Sequence, residues 1–113
     1  MSAVLIPPAL AHAALVRSSP ARRASLTRAP SRVELWFNEP LEAAYCSVSV
    51  WTAEGRQVDS RDVAVSARDP KQLSVGLPPL APGGYTVRFR VLSVDGHVVE
   101  STFPFAIRAT PAR

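Results

Sequence analysis

Apolar and polar residues alternate along five stretches of this chain, and this two-residue period is the feature that most limits its fold. In Arg32–Phe37, the apolar residues Val33, Leu35 and Phe37 take every second position. Successive side chains of a β-strand point to opposite faces of a sheet, so the pattern predicts strands with one buried face. The same period recurs in residues 46–51, 72–77, 85–92 and 99–107.

Turn-forming residues separate these stretches. Asn38–Pro40, Glu54–Arg56, Arg68–Pro70 and Pro78–Gly84 contain the prolines, glycines and short polar residues that end strands and helices. Only residues 41–44 suit a helical turn, and no longer window has the 3.6-residue period of an amphipathic helix. The sequence therefore predicts an all-β domain, a Greek-key β-sandwich or barrel of about seven strands with an immunoglobulin-like architecture.

The apolar rows of the predicted strands define an expected core between two β layers. Cys46 is expected to be a small core residue, because it continues the row of Val48 and Val50. The tryptophans Trp36 and Trp51 fall in the opposite rows and are expected on the outer face or rim. The predicted core residues are Val33, Leu35, Phe37, Cys46, Val48, Val50, Val87, Phe89, Val91, Phe103 and Phe105.

Length and composition exclude several classes of protein. The 113 residues are enough for one domain, and the net charge of +4 comes from scattered arginines, which argues against a nucleic-acid-binding patch. A single cysteine permits neither an intramolecular disulfide nor a cysteine-based zinc site. The longest uncharged run, Met1–Val16, is shorter than the roughly 20 apolar residues that span a bilayer, so the sequence predicts no transmembrane segment.

The first eleven residues resemble the end of an export signal. Ala3–Leu10 is apolar, and Ala9-Leu10-Ala11 has the small residues that signal peptidase recognises, which places the cut before His12. The match is incomplete, because Met1–Ala3 carries no positive charge. We therefore expect residues 1–11 to be a signal remnant and residues 12–113 to form one domain. The alternative is a disordered tail that stays attached.

The two histidines of the chain, His12 and His97, suggest a metal site. As a new N-terminal residue, His12 would offer its α-amine and a ring nitrogen to one ion. Asp95 and His97 flank Gly96, so in extended chain both side chains leave on the same side. Three nitrogens and one carboxylate oxygen suit Cu(II), whereas Cu(I) prefers sulfur ligands.

Asp95-Gly96 has a second interpretation. Asp-Gly between two alternating stretches is a strong signal for a two-residue type I′ hairpin turn, in which His97 would simply begin the next strand. The turn and the metal site are compatible, because loops at the end of a sandwich commonly carry functional residues.

Four segments of the chain carry a resemblance to a known family: His12–Ala21, Val33–Leu41, Leu80–Val87 and Val91–His97. Together they resemble the CopC family of periplasmic copper-resistance proteins. The resemblance implies a Greek-key β-barrel or sandwich that binds one Cu(II) through the N-terminal histidine and an Asp-x-His loop, here His12, Asp95 and His97. It also implies that Glu39 is a hydrogen-bonding neighbour of the copper. The alternative for Glu39 is a carboxylate in the turn before Pro40.

The resemblance also bears on function. Some members carry a second, methionine-rich Cu(I) site, but residues 53–65 contain no methionine or histidine, so we expect binding of Cu(II) only. The expected function is a non-enzymatic periplasmic carrier or buffer of copper, with an inner-membrane copper transporter as a candidate partner. The alternatives are a copper-dependent oxidative enzyme with a histidine-brace site and a metal-free immunoglobulin-like interaction module.

Overall fold

Two four-stranded sheets face each other in the computed structural model, which describes residues 14–109. In the first sheet the strand order is β1-β3-β6-β5, and in the second it is β2-β8-β7-β4. The strands are β1 Leu15–Ser19, β2 Ser25–Leu26, β3 Arg32–Phe37, β4 Ser47–Thr52, β5 Ala64–Val65, β6 Gln72–Gly76, β7 Gly83–Leu92 and β8 Val98–Ile107, and a 3-10 turn covers Ala43–Tyr45.

The longest ladder joins β7 to β8 in antiparallel register, from Gly83 opposite Ile107 to Leu92 opposite Val98. The predicted all-β sandwich is confirmed, with eight strands in the described residues. Two of these strands, β2 and β5, have only two residues each, which is too short for an alternating pattern to reveal them. One of them, β2, pairs with β8 in parallel, whereas the other ladders are antiparallel.

The core lies between the two sheets, where the inward rows of the strands meet. All predicted core residues except Cys46 are buried, and Leu41, Leu73, Val75, Leu77, Tyr85 and Ile107 join them. Aromatic pairs connect core residues: the rings of Phe37 and Phe89 meet edge to face at 5.6 Å, and those of Tyr85 and Phe105 stack at 5.4 Å. Burying alternate residues fixes the register, because a shift by one residue would expose each apolar row.

The prediction that Cys46 is a core residue is wrong. Cys46 is half-buried, because it directly follows the 3-10 turn and lies one residue before β4, at the edge of the core. Its thiol donates a hydrogen bond to the carbonyl oxygen of Glu42 at 3.2 Å. Burial raises the pKa of the Cys46 thiol above its usual value, because desolvation disfavours the thiolate.

Both tryptophans lie in the outward rows and are partly covered by arginines, as expected for the outer face. The Arg17 guanidinium lies 3.9 Å from the ring centre of Trp36, and that of Arg88 lies 4.8 Å from Trp51. These are cation–π contacts. Residues 14–109 include no helix with the length and apolar character to cross a membrane.

Candidate metal centre

The loop between β7 and β8 carries Asp95 and His97. The Ser93 amide donates to the His97 carbonyl, and the Gly96 amide donates to the Ser93 carbonyl, both at 2.9 Å. Gly96 has φ +92°, in the left-handed region that glycine adopts readily. Within this loop, Ser93 and His97 enclose a three-residue turn, Val94–Gly96. The alternative of a two-residue type I′ turn at Asp95-Gly96 is therefore wrong, because Gly96 takes the left-handed position after the turn.

The loop brings the side chains of Asp95 and His97 together. Asp95 Oδ1 lies 3.2 Å from His97 Nδ1, and these side chains are 40% and 36% exposed. Both groups are thus partly open to solvent while held against each other. A carboxylate beside an imidazole is an arrangement that accompanies metal ligation by histidine.

Ser93, which is not among the predicted site residues, contacts both residues of this pair. Its side chain is wholly buried, and its hydroxyl donates a hydrogen bond to Asp95 Oδ1. The same hydroxyl accepts the His97 amide at 3.3 Å. The hydrogen bond from Ser93, followed by the contact with His97, holds the pKa of the Asp95 carboxyl below its usual value. Loop serines commonly bond to neighbouring groups, so the position of Ser93 in the sequence does not distinguish it from other loop serines.

A second segment, Asn38–Leu41, connects this loop to the start of the described chain. The Ala14 amide donates to Asn38 Oδ1 at 2.7 Å, and the Asn38 amide donates to the Ala14 carbonyl at 3.1 Å. On the other side, the Val94 amide donates to the Pro40 carbonyl at 3.0 Å. Glu39 is half-buried and lies between these two attachments.

His12 lies outside the described residues, so its predicted approach to His97 stays a prediction. Ala14, two residues later, is attached to Asn38, next to Glu39 in the chain. Among residues 14–109, no three His, Cys, Asp or Glu side chains form a group that could hold a metal ion. Of the predicted ligands, the described structure brings together Asp95 and His97.

Comparison with known proteins gives consistent matches over nearly the whole chain. The CopC domain matches residues 15–108. Protein YobA of Escherichia coli K12 is 32% identical over 95% of this chain and 87% of YobA. Copper resistance protein C of Pseudomonas syringae pv. tomato is 30% identical over 88% of this chain and 83% of that protein. Copper transport protein CutJ of Bacillus subtilis is 34% identical over 86% of this chain, which spans only 18% of CutJ.

Solved structures have the same fold. CopC from Methylosinus trichosporium OB3b superimposes with a TM-score of 0.83 and 35% identity, covering 90% of this chain and 99% of that one. The copper resistance protein PcoC from Escherichia coli gives a TM-score of 0.76 at 25% identity, covering 84% and 99% of the two chains. The domain match, the relatives and the fold agree, and the chain belongs to the CopC family.

Proposed function

We propose that this chain binds one Cu(II) ion and carries or buffers it without catalysing a reaction. The observation that supports this function best is the pair formed by Asp95 and His97, whose facing atoms are 3.2 Å apart at a partly exposed position. The pair lies in the loop attached through Pro40 to the segment that also holds the start of the described chain.

The donor set fits Cu(II). His12, once it is the first residue, contributes its amine and a ring nitrogen, His97 contributes a third nitrogen and Asp95 an oxygen. His97 Nδ1 lies 3.2 Å from Asp95 Oδ1, a separation that two ligands of one ion would have, because each bond to the ion is about 2 Å long. The only methionine, Met1, precedes the cut, so no thioether is available for Cu(I).

Glu39 is proposed as a hydrogen-bonding neighbour of the bound ion rather than a ligand. The neighbours of Glu39 in the chain support a place near the ion, because Asn38 is hydrogen-bonded to Ala14 and Pro40 is hydrogen-bonded to Val94. A half-buried carboxylate placed between the chain start and the metal loop is suited to orient an N-terminal amine or a metal-bound water.

The proposed setting is the periplasm, after export and cleavage before His12. The names of the relatives support a role in copper handling, since one is a copper transport protein and another a copper resistance protein. A copper transporter of the inner membrane is the proposed recipient. A copper-dependent oxidative enzyme with a histidine-brace site is the less favoured function, because Asp95 as a ligand would occupy a position at which oxygen or substrate would have to bind.

A Cu(II) titration of the chain beginning at His12, against a competing chelator, tests the proposal. We expect one tightly bound Cu(II) per chain and a weakening by orders of magnitude in His97→Ala, with a smaller loss in Asp95→Ala. Glu100→Ala is the matched control, because Glu100 is an exposed carboxylate on the following strand, paired only peripherally with Arg90 at 3.6 Å. Unchanged affinity in both His97→Ala and Asp95→Ala would overturn the assignment.

A further inference from the structure

We propose that Ser93 is a positioning residue of the copper site, whose buried hydroxyl holds the Asp95 carboxylate beside His97 before the metal arrives. This inference rests on the proposed function. Ser93 is completely buried, directly after the last residue of β7, whereas Asp95 and His97 are partly exposed. The residue that orders the pair is therefore shielded from solvent, and the residues that meet the ion are not.

The Ser93 hydroxyl acts on both proposed ligands. It donates to Asp95 Oδ1, and it accepts the main-chain amide of His97 at 3.3 Å. A buried hydroxyl retains such bonds, because breaking them would leave the hydroxyl without a partner and shielded from water. One side chain thereby contacts both the Asp95 carboxylate and the backbone of His97.

The backbone of the loop does not depend on this hydroxyl. The Ser93 amide already donates to the His97 carbonyl and the Gly96 amide to the Ser93 carbonyl, and alanine at position 93 would retain both bonds. Ser93 also forms an isolated β-bridge with Leu41, which holds its backbone in place. The contribution specific to the hydroxyl is therefore the orientation of Asp95.

Without the hydroxyl, the Asp95 side chain would be free to rotate into solvent, since it is 40% exposed. Copper binding would then have to order the carboxylate and would lose the corresponding entropy. Removal of groups that orient metal ligands typically weakens metal binding about 10- to 100-fold, and we expect a loss in this range. Fixing ligands in advance is how a protein site gains affinity without adding a bond to the metal.

The test compares Ser93→Ala, Ser93→Thr and the control Ser101→Ala in the chain beginning at His12. Ser101 is an exposed serine of β8, so its replacement removes the same hydroxyl away from the loop. Cu(II) affinity and the Cu(II) electron paramagnetic resonance spectrum are measured for each protein, with thermal unfolding as a check on folding. In the metal-free proteins, long-range proton–nitrogen NMR reports which ring nitrogen of His97 carries the proton.

Ser93→Ala is expected to bind Cu(II) about 10- to 100-fold more weakly, with an altered spectrum and a mixture of His97 tautomers. Ser93→Thr is expected to recover most of the affinity and the parent spectrum, because it retains the hydroxyl, and Ser101→Ala to match the parent. A parent-like affinity, spectrum and tautomer in folded Ser93→Ala would overturn the positioning role. If the parent bound no Cu(II) while Ser93→Ala still changed the His97 tautomer, the proposed function would fail and the ordering of the pair by Ser93 would stand.

Discussion

The centre of the sandwich and the end that carries Asp95 and His97, the proposed metal end, are stabilised by different interactions. In the centre, Val33, Leu35 and Val87 have no exposed surface, and packing between two sheets holds them. At the metal end, Asp95 and His97 keep more than a third of their side-chain surface exposed, and the Ser93 hydroxyl donates to Asp95 and accepts the His97 amide. Burial of apolar area stabilises the whole domain, whereas the hydrogen bonds of the loop orient two side chains.

This difference implies that folding stability and copper binding can be changed separately. Apolar packing at the centre does not need the loop side chains, and the loop contributes little buried apolar area. A change confined to one region should therefore alter one property and leave the other nearly unchanged.

The largest effect is expected from one additional residue before His12. An extension converts the α-amine into an amide, which removes a nitrogen donor and the chelate ring, so Cu(II) affinity should fall by orders of magnitude. The free energy of unfolding of the metal-free protein should not change, because residue 12 precedes β1. Competitive chelator titration and urea unfolding measure the two properties, with the chain that begins at His12 as control. Equal affinity and an unchanged copper spectrum would contradict the N-terminal chelate.

A cavity in the centre of the sandwich should lower the free energy of unfolding and leave Cu(II) affinity unchanged, which is the opposite of the effect of the N-terminal extension. Leu35→Ala removes a fully buried side chain of β3 and should lower the free energy of unfolding by about 2–5 kcal/mol. Val98→Ala is the control, because Val98 is 46% exposed, and surface changes usually stay within about 0.5 kcal/mol. Urea unfolding gives both values. A large loss of Cu(II) affinity in the folded Leu35→Ala protein would show that the two regions are coupled.

The outer face of the second sheet should contribute little to either property. Arg88→Ala removes the cation–π contact with Trp51 and should cost about 0.5–1 kcal/mol of stability, with Cu(II) affinity unchanged. Arg68→Ala, another exposed arginine, controls for the loss of one charge. Thermal unfolding at matched ionic strength distinguishes the two variants, and identical stabilities would show that the contact with Trp51 contributes nothing.

Cys46 lies at the boundary between the regions and should give the smallest effect. Because burial raises the pKa of its thiol, the folded chain should react with iodoacetamide more slowly than the urea-unfolded chain at pH values below the ordinary 9.0. The fold favours the neutral thiol, so its small contribution to stability is present below 9.0 and is lost as the pH rises above that value through the raised pKa of the folded chain. Mass spectrometry follows the reaction at the only cysteine. Equal rates in the two states would contradict the shift.

Much of the fold was predictable from the two-residue period, because the strands of the core bury one face each. The exceptions have local causes. Strands β2 and β5 are too short to show a period, and Cys46 lies after a 3-10 turn rather than within a strand. At the site, Asp95 and His97 could be selected from their types and spacing, but Ser93 could not be separated from ordinary loop serines.

The sequence by itself determined which residues face the core, because successive side chains of a strand point to opposite faces. It also supplied nitrogen and oxygen donors suited to Cu(II). Only the tertiary structure decided that Asn38 would be attached to Ala14 and Pro40 to Val94, which brings three distant segments to one end of the domain. It also decided that Gly96 would follow the turn and that Ser93 would be buried beneath Asp95. Strand pairing and loop geometry depend on contacts between residues far apart in the chain, and no local pattern encodes those contacts.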